Sequence, residues 1–227
     1  MVPPAFDSNA GFWYNKGVME TKGKFIVFEG TDGSGKSTQM KLLSSYLAEK
    51  GEQCYLTHEP TESEIGLLLR ACMSGKIDTN EHAIAALFAA DRLDHITDMK
   101  AKLDAGINVL CDRYYFSSFA YNGGFVPLDW VVELNTPAME MLRPDLVIYI
   151  DLPPEESMKR VLRRGGNTER YETQERQQKI RAKFFEVFER FKEENVKIVK
   201  SEEDKFTTQA NIRKLADELW GNAWKKN

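Results

Sequence analysis

Cysteine is scarce in this chain: three in 227 residues, at Cys54, Cys72 and Cys111. Their odd number and wide spacing fit neither a disulfide framework nor a metal-ligand pattern. They read as buried small hydrophobes in a reducing, cytoplasmic compartment. No apolar run is long enough to cross a membrane. A large excess of charge of one sign is also missing, with 31 lysines and arginines against 35 aspartates and glutamates. The net charge of −4 gives no electrostatic reason to expect a nucleic-acid polymer as partner. A small anionic ligand needs only a local basic site, so net charge does not bear on that. Internal repeats and low-complexity tracts are absent. Residues 1–23 lack the basic start and apolar core of a signal peptide, and Asp7, Asn9 and Lys16 interrupt them. They read as an N-terminal extension ahead of one domain, 24–227. The aromatics Phe6, Phe12, Trp13 and Tyr14 leave two readings open: a loose tail, or docking on the domain or on a partner subunit.

What is present is alternation. Short runs rich in valine and isoleucine recur at 24–30, 53–58, 107–112, 145–151 and 195–200. They are nearly continuous in apolar residues, as strands buried on both faces are, which predicts a parallel sheet. Helical periodicity lies between them. Gln39 to Lys50, Asn80 to Asp104, Gln174 to Glu194 and Thr207 to Trp220 are the candidate helices. The expected fold is α/β: five parallel strands with helices on both faces, in three layers. Ligands of such sheets sit beyond the carboxyl ends of the strands.

The first strand runs into "GTDGSGKS", which fits G-x-x-x-x-G-K-[ST] at Gly30, Gly35, Lys36 and Ser37. A strand before the motif and a helix after it are the context that a phosphate-binding P-loop requires. Its glycines let successive backbone N–H groups turn inward, and the helix N-terminus adds positive potential. Gly30, Thr31, Asp32, Gly33, Ser34, Gly35, Lys36, Ser37 and Thr38 are therefore the candidate ATP contacts. Lys36 is expected to reach the outer phosphates, with Ser37 and Asp112, at the end of the third strand, as candidate Mg²⁺ ligands.

A GTPase switch is disfavoured. The guanine-reading N-K-x-D is missing, since "NKGV" lacks the Asp and precedes the P-loop, and no D-x-x-G follows the P-loop helix. Instead "FEGTDGSGKST" (28–38), "HEPTESEIG" (58–66), "LFAADR" (87–92), "DRYYFSSFAYNG" (112–123), "RPDLVIYID" (143–151) and "ERYE" (169–172) come in register. Together they closely resemble the thymidylate kinases, P-loop enzymes that phosphorylate dTMP with ATP. The resemblance runs from Lys24 to about Trp220.

It implies roles for particular residues. Asp32 matches the P-loop carboxylate that contacts the acceptor's sugar 3′-hydroxyl. An acid beside bound phosphates is electrostatically costly without such a task. Phe88 matches the aromatic that stacks on thymine, and Arg92 the arginine that hydrogen-bonds the base. They stand four apart on one predicted helix and share a face. Arg113 matches the arginine that grips the acceptor phosphate, a task suited to a guanidinium fork. Ser118 and Tyr121 match residues at the thymine and sugar edges. Tyr171 and Glu172 match residues at the base of the lid. Asn122 stands where Gln is usual. His58 departs from the related Arg-Glu-Pro pattern. With an ordinary pKa of roughly 6.5, a histidine replaces a phosphate-binding arginine only in part, and Arg70 is a candidate to compensate.

The implied reaction moves the γ-phosphoryl group of ATP·Mg²⁺ to dTMP. A phosphate oxygen is already a nucleophile, so alignment and charge neutralisation suffice. Thymidylate kinases carry a catalytic arginine in the P-loop or in the lid. This P-loop has no basic residue before Lys36, so the lid, about 163–173, is expected to supply it from Arg163, Arg164 or Arg170. The catalytic set is then Lys36, Arg113 and those arginines. Two rivals remain: a kinase of another monophosphate such as dUMP, or of a nucleoside, and a nucleotide-binding regulatory module without chemistry. A nucleoside kinase would need a base, for which Glu29 is the visible candidate. The family commonly forms homodimers through helices beside the sheet. The apolar side of Ala83 to Leu93 fits either that interface or ordinary core.

Overall fold

The strand β1 (Phe25–Glu29) is buried along its whole length. Successive side chains of a strand point to opposite faces, and here they enter two separate cores. Phe25 and Val27 join one, Ile26 and Phe28 the other. A strand apolar at its first four positions and buried throughout therefore lies inside a three-layer molecule. Four more strands continue the sheet: β2 (Cys54–His58), β3 (Asn108–Asp112), β4 (Leu146–Asp151) and β5 (Val196–Lys200). All pairings are parallel, in the order β2-β3-β1-β4-β5. This computed structural model describes residues 22–163 and 173–221.

One face of the sheet is covered by α1 (Lys36–Glu49) and α8 (Lys205–Trp220), through Met40, Leu43, Leu47, Ile212 and Ala216. The other carries α3 (Glu81–Asp104), α4 (Tyr115–Tyr121), α5 (Leu128–Met141) and α7 (Gln174–Arg190). This second core is aromatic. Phe116, Phe119, Tyr149, Phe184 and Phe188 meet edge-to-face or tilted, arrangements the ring quadrupole favours. Two further α-helices, α2 (Glu64–Met73), packed on α3, and α6 (Pro154–Arg163), packed on α7, and a 3-10 turn at Asn122–Gly124 complete the described helices.

The fold is the one expected, and each predicted strand lies within one residue of the observed one. The predicted helices also form, with shifted ends. Gly35 sits at φ 101 and opens α1 directly at Lys36 rather than Gln39. Asn80 caps α3, its side chain accepting the Ala83 N–H at 2.9 Å. Helices α2, α4, α5 and α6 carry no signal the periodicity reading caught. In α4 nearly every residue is buried, so no one-sided stripe exists, and α5 holds Pro137 within it. Packing overrides both local signals.

The sheet order creates the site. From β1 the chain crosses to β2 on one side and later to β4 on the other, so β1 borders the switch point where such folds take ligands. Ordered packing begins before the predicted boundary at Lys24. The Gly23 N–H donates to the Leu103 carbonyl at 2.9 Å, and a Cβ there would lie 2.2 Å from the Ile107 carbonyl oxygen. Residues 1–21, with Phe6, Phe12, Trp13 and Tyr14, lie outside the described residues.

Candidate active site

The loop after β1 is shaped by its glycines. Gly30 has φ 146, and a Cβ there would stand 2.7 Å from the Ile150 carbonyl oxygen. Only glycine fits that approach to β4. Gly33 and Gly35 also hold positive φ, at 77 and 101. No side chain caps α1 at Gly35, so its first N–H groups keep the unmet hydrogen-bonding capacity that anions seek. Lys36 is buried and folds back over the loop, donating to the Gly30 and Thr31 carbonyls at 3.0 and 3.1 Å. Burial and the nearby Arg113 charge lower its pKa, against Asp112 and Asp32.

Pairing of β1 with β3 sets Phe28 beside Asp112, at the same level as the loop. Ser37 Oγ donates to Asp112 Oδ2 at 2.7 Å. The other carboxylate oxygen of Asp112 is buried and has no partner among the described residues. A hydroxyl and an unsaturated carboxylate at a phosphate loop form an oxygen donor set of the kind hard divalent cations take. His58 stands opposite Asp112 on β2. Its Nδ1 lies 2.9 Å from the Pro60 carbonyl oxygen and its Nε2 3.6 Å from Glu62.

Arg113 follows β3 in a left-handed conformation, φ 73, which a non-glycine residue adopts only when its surroundings hold it there. Its backbone N–H donates to the Phe28 carbonyl at 2.9 Å. The guanidinium donates to Asp32 Oδ1 at 2.6 Å and Ser117 Oγ at 3.1 Å, and lies 4.8 Å from the centre of the Tyr121 ring. Tyr121 donates to Asp32 Oδ2 at 3.2 Å. Burial works to raise the Asp32 pKa, but the Arg113 and Lys36 charges and these hydrogen bonds overcome it and hold the carboxyl below its usual range.

Two cavities meet at this ion pair. The smaller, about 260 Å³, is lined by the P-loop with His58, Glu59 and Asp112. The larger, about 610 Å³, is lined by Phe88, Tyr121, Ser118, Asn122, Arg70 and Leu67 among others. Asp32 and Arg113 line both.

The sequence-predicted residues thus divide. Phe88, Ser118, Tyr121, Asp32 and Arg113 surround the larger cleft, but His58 lines only the smaller cavity. Arg92 shares a helix with Phe88 but lies beneath the cleft wall, 1% exposed. Its guanidinium pairs with Glu59 at 2.7 Å and donates to Ser118 Oγ at 3.0 Å and to Asn135 Oδ1. Arg70 reaches the cleft where His58 does not, donating to the Pro60 carbonyl at 2.8 Å and pairing with Glu62 at 2.7 Å. The Arg163 side chain, and Arg164, Arg170, Tyr171 and Glu172 entirely, lie outside the described residues.

Glu29 takes a place the sequence does not foretell. It is fully buried and lines neither cavity. One oxygen accepts the Tyr114 and Ser117 N–H groups at 2.9 and 3.1 Å, and the other accepts Ser117 Oγ at 2.5 Å. Burial pushes its pKa up to about 7, against the Ser117 hydrogen bond and the Arg113 charge. Ser117, also unforeseen, accepts from Arg113, so Glu29 anchors α4 and the cleft wall rather than facing an acceptor hydroxyl. The signal was available: Ser117 stands four residues after Arg113.

The chain is similar to known proteins along most of its length. A family model described as thymidylate kinase matches residues 28–212. The probable thymidylate kinase of Pyrococcus horikoshii is 42% identical over 179 residues, 76% of this chain and 86% of that protein. That of Thermococcus kodakarensis is 39% identical over 207 residues, 87% of this chain and 98% of its own. The solved thymidylate kinase of Candida albicans has a similar fold, with a TM-score of 0.71 over 87% of this chain and 92% of that one, at 24% identity. The family match over residues 28–212 and these relatives over most of the length identify the chain as a member of the thymidylate kinase family.

Proposed function

We propose that the protein transfers the γ-phosphoryl group of ATP to dTMP, giving ADP and dTDP. The observation that carries this reading is the junction of the two cavities at Asp32 and Arg113. Phosphates held by the P-loop and a monophosphate held in the larger cleft would converge there. The P-loop backbone and Lys36 bind the ATP phosphates. Arg113 presents its fork to the acceptor phosphate, pre-oriented by Asp32 and Ser117. Asp32 and Tyr121 contact the sugar, Phe88 stacks on the base, and Ser118 meets its edge. Ser37 and Asp112 would hold Mg²⁺, which when bound with ATP neutralises charge on the phosphates.

The nucleoside rival needs a base at the acceptor hydroxyl, and Glu29, the candidate, is enclosed and committed to α4. In this reading the catalytic arginine comes from the lid of about 163–173, and Tyr171 and Glu172 close on the sugar. The kinase domain spans 24–227 after an N-terminal extension. We assign a cytoplasmic homodimer. No described helix is long and apolar enough to cross a membrane.

A coupled ADP-release assay across nucleosides and nucleoside monophosphates, with Mg²⁺, tests the function. ADP release that depends on dTMP and not on thymidine is the expected result. Turnover with nucleosides only, or none with any acceptor, overturns the reading. One methyl group is worth only about 1–3 kcal/mol of discrimination, so the ratio of dTMP to dUMP rates decides the acceptor base.

A further inference from the structure

Behind the larger cleft lies a buried polar cluster that the steps above do not use. His95, on α3, is 7% exposed. Its Nε2 is 2.7 Å from Thr57 Oγ1 on β2, and its Nδ1 is 3.2 Å from Glu59 Oε1 in the turn that follows. The other oxygen of Glu59 meets Arg92 at 2.7 Å, with both side chains almost fully enclosed. Arg92 in turn donates to Ser118 Oγ at 3.0 Å and to Asn135 Oδ1. Ser118 is part of the cleft wall. A continuous chain of contacts thus runs from Thr57 through His95, Glu59 and Arg92 to Ser118.

Donor and acceptor capacity gives this chain a direction. A carboxylate only accepts, so His95 Nδ1–H donates to Glu59. In the neutral ring Nε2 is then an acceptor, and the Thr57 hydroxyl donates to it. Arginine only donates, so Ser118 Oγ accepts from Arg92 and keeps its own proton for a second partner. Each group bears on the next: Glu59 Oε2 is held to Arg92 by the ion pair alone, and Arg92 Nε has no hydrogen-bond partner among the described residues, so Arg92 depends on the contacts that remain. Without His95, the buried Glu59 Oε1 would lose a partner, and Arg92 would lose one of the contacts that orient it.

Glu59, His95 and Cys111 also bring potential ligand atoms within 4.8 Å of one another. A metal is poorly suited to them. Burial pushes the Cys111 thiol well up, and its S–H donates to the Arg113 carbonyl at 3.1 Å. The Arg92 guanidinium already occupies Glu59 and opposes a second cation.

We propose that His95 is a positioning residue for the acceptor base: through Glu59 it fixes Arg92, and through Arg92 the Ser118 hydroxyl at the cleft wall. The proposal rests on the dTMP reading above. The test compares His95→Leu, which removes both hydrogen bonds at similar volume, with His95→Gln, which restores one donor and one acceptor. His95→Leu is expected to raise the KM for dTMP about tenfold, with kcat and the KM for ATP moving less than about twofold. His95→Gln recovers most of the loss. Thr57→Val, which cuts the chain at its far end, shifts the KM for dTMP in the same direction by less, and keeps the test decisive if His95→Leu does not fold. An unshifted KM for dTMP in both His95→Leu and Thr57→Val overturns the proposal, as does an equal rise in His95→Leu and His95→Gln. With normal dTMP turnover in the unaltered chain, those results reject the role of His95 alone. Failure of the unaltered chain to use dTMP rejects the functional reading itself.

Discussion

The two cavities that meet at Arg113 are built on opposite plans. The smaller is made mostly from one short stretch, Asp32 to Thr38, where the backbone turn and the start of α1 set its shape. The larger draws side chains from α2, α3 and α4, from the turns beside them and from the P-loop, segments far apart in sequence. A backbone cradle takes any polyphosphate, because N–H groups and a helix end read charge and not identity. A side-chain cleft carries selectivity, because each wall residue is separately placed. Losses at the first should therefore appear in turnover, and losses at the second in the choice and affinity of the acceptor.

The largest expected effect tests whether the smaller cavity is complete. Its P-loop has no arginine of its own, so replacing Arg163 and Arg164 together by alanine should lower turnover on the order of 10³–10⁵-fold with little change in nucleotide affinity. Stopped-flow turnover unchanged by that pair would mean that the cradle needs no outside cation. Next comes Lys36→Ala. Removing a preorganised charge from the cradle is expected to cost about 10²–10³ in kcat, read by ADP release at saturating dTMP. A rise in the KM for dTMP alone would blur the division between the two cavities.

The wall between them gives a stability test. Glu29 has a folded-state pKa raised to about 7 from an ordinary 4.5. The folded state therefore holds the proton more tightly than the unfolded state. Stability linked to Glu29 is fully present below about pH 4.5 and is lost as pH rises through about 7, by roughly 3 kcal/mol in all. Urea unfolding of the unaltered protein and of Glu29→Gln at several pH values should show that slope in the first and not in the second. Parallel pH profiles would mean that Glu29 does not titrate in this window. The smallest effect belongs to the larger cleft. Phe88→Ala should weaken dTMP up to about tenfold through lost stacking and leave ATP affinity unchanged in calorimetry. Equal loss for both ligands would show that Phe88 serves the α2–α3 packing, where it also touches the cluster of Leu69, Cys72 and Ile84.

Much of this was legible in the chain, for physical reasons. The central strands β1, β3 and β4 declare themselves because a parallel sheet buries both their faces and favours apolar runs; the edge strands β2 and β5 are only partly buried, contrary to the expectation from their sequence. The P-loop declares itself because phosphate binding by backbone demands glycine at fixed positions with a lysine after them. Arg92 and His58 show where such reading stops. Periodicity sets Arg92 on the face of Phe88, yet the buried carboxylate of Glu59, more than thirty residues earlier, draws its guanidinium beneath the cleft. His58 keeps its place beside Asp112, but the return of Arg70 from α2 brings a cation to the larger cavity, which His58 does not line.

Sequence by itself therefore determined the parallel three-layer fold, the phosphate loop and the family, since each rests on contiguous residues or on motifs in fixed order. Only the tertiary structure decided that Asp32 and Arg113 join two cavities, that Glu29 anchors a helix instead of acting as a base, and that His95 stands behind Arg92. Those assignments depend on which side chains meet across the sheet and on how much water burial removes from them, and neither is written in the spacing of residues along one chain.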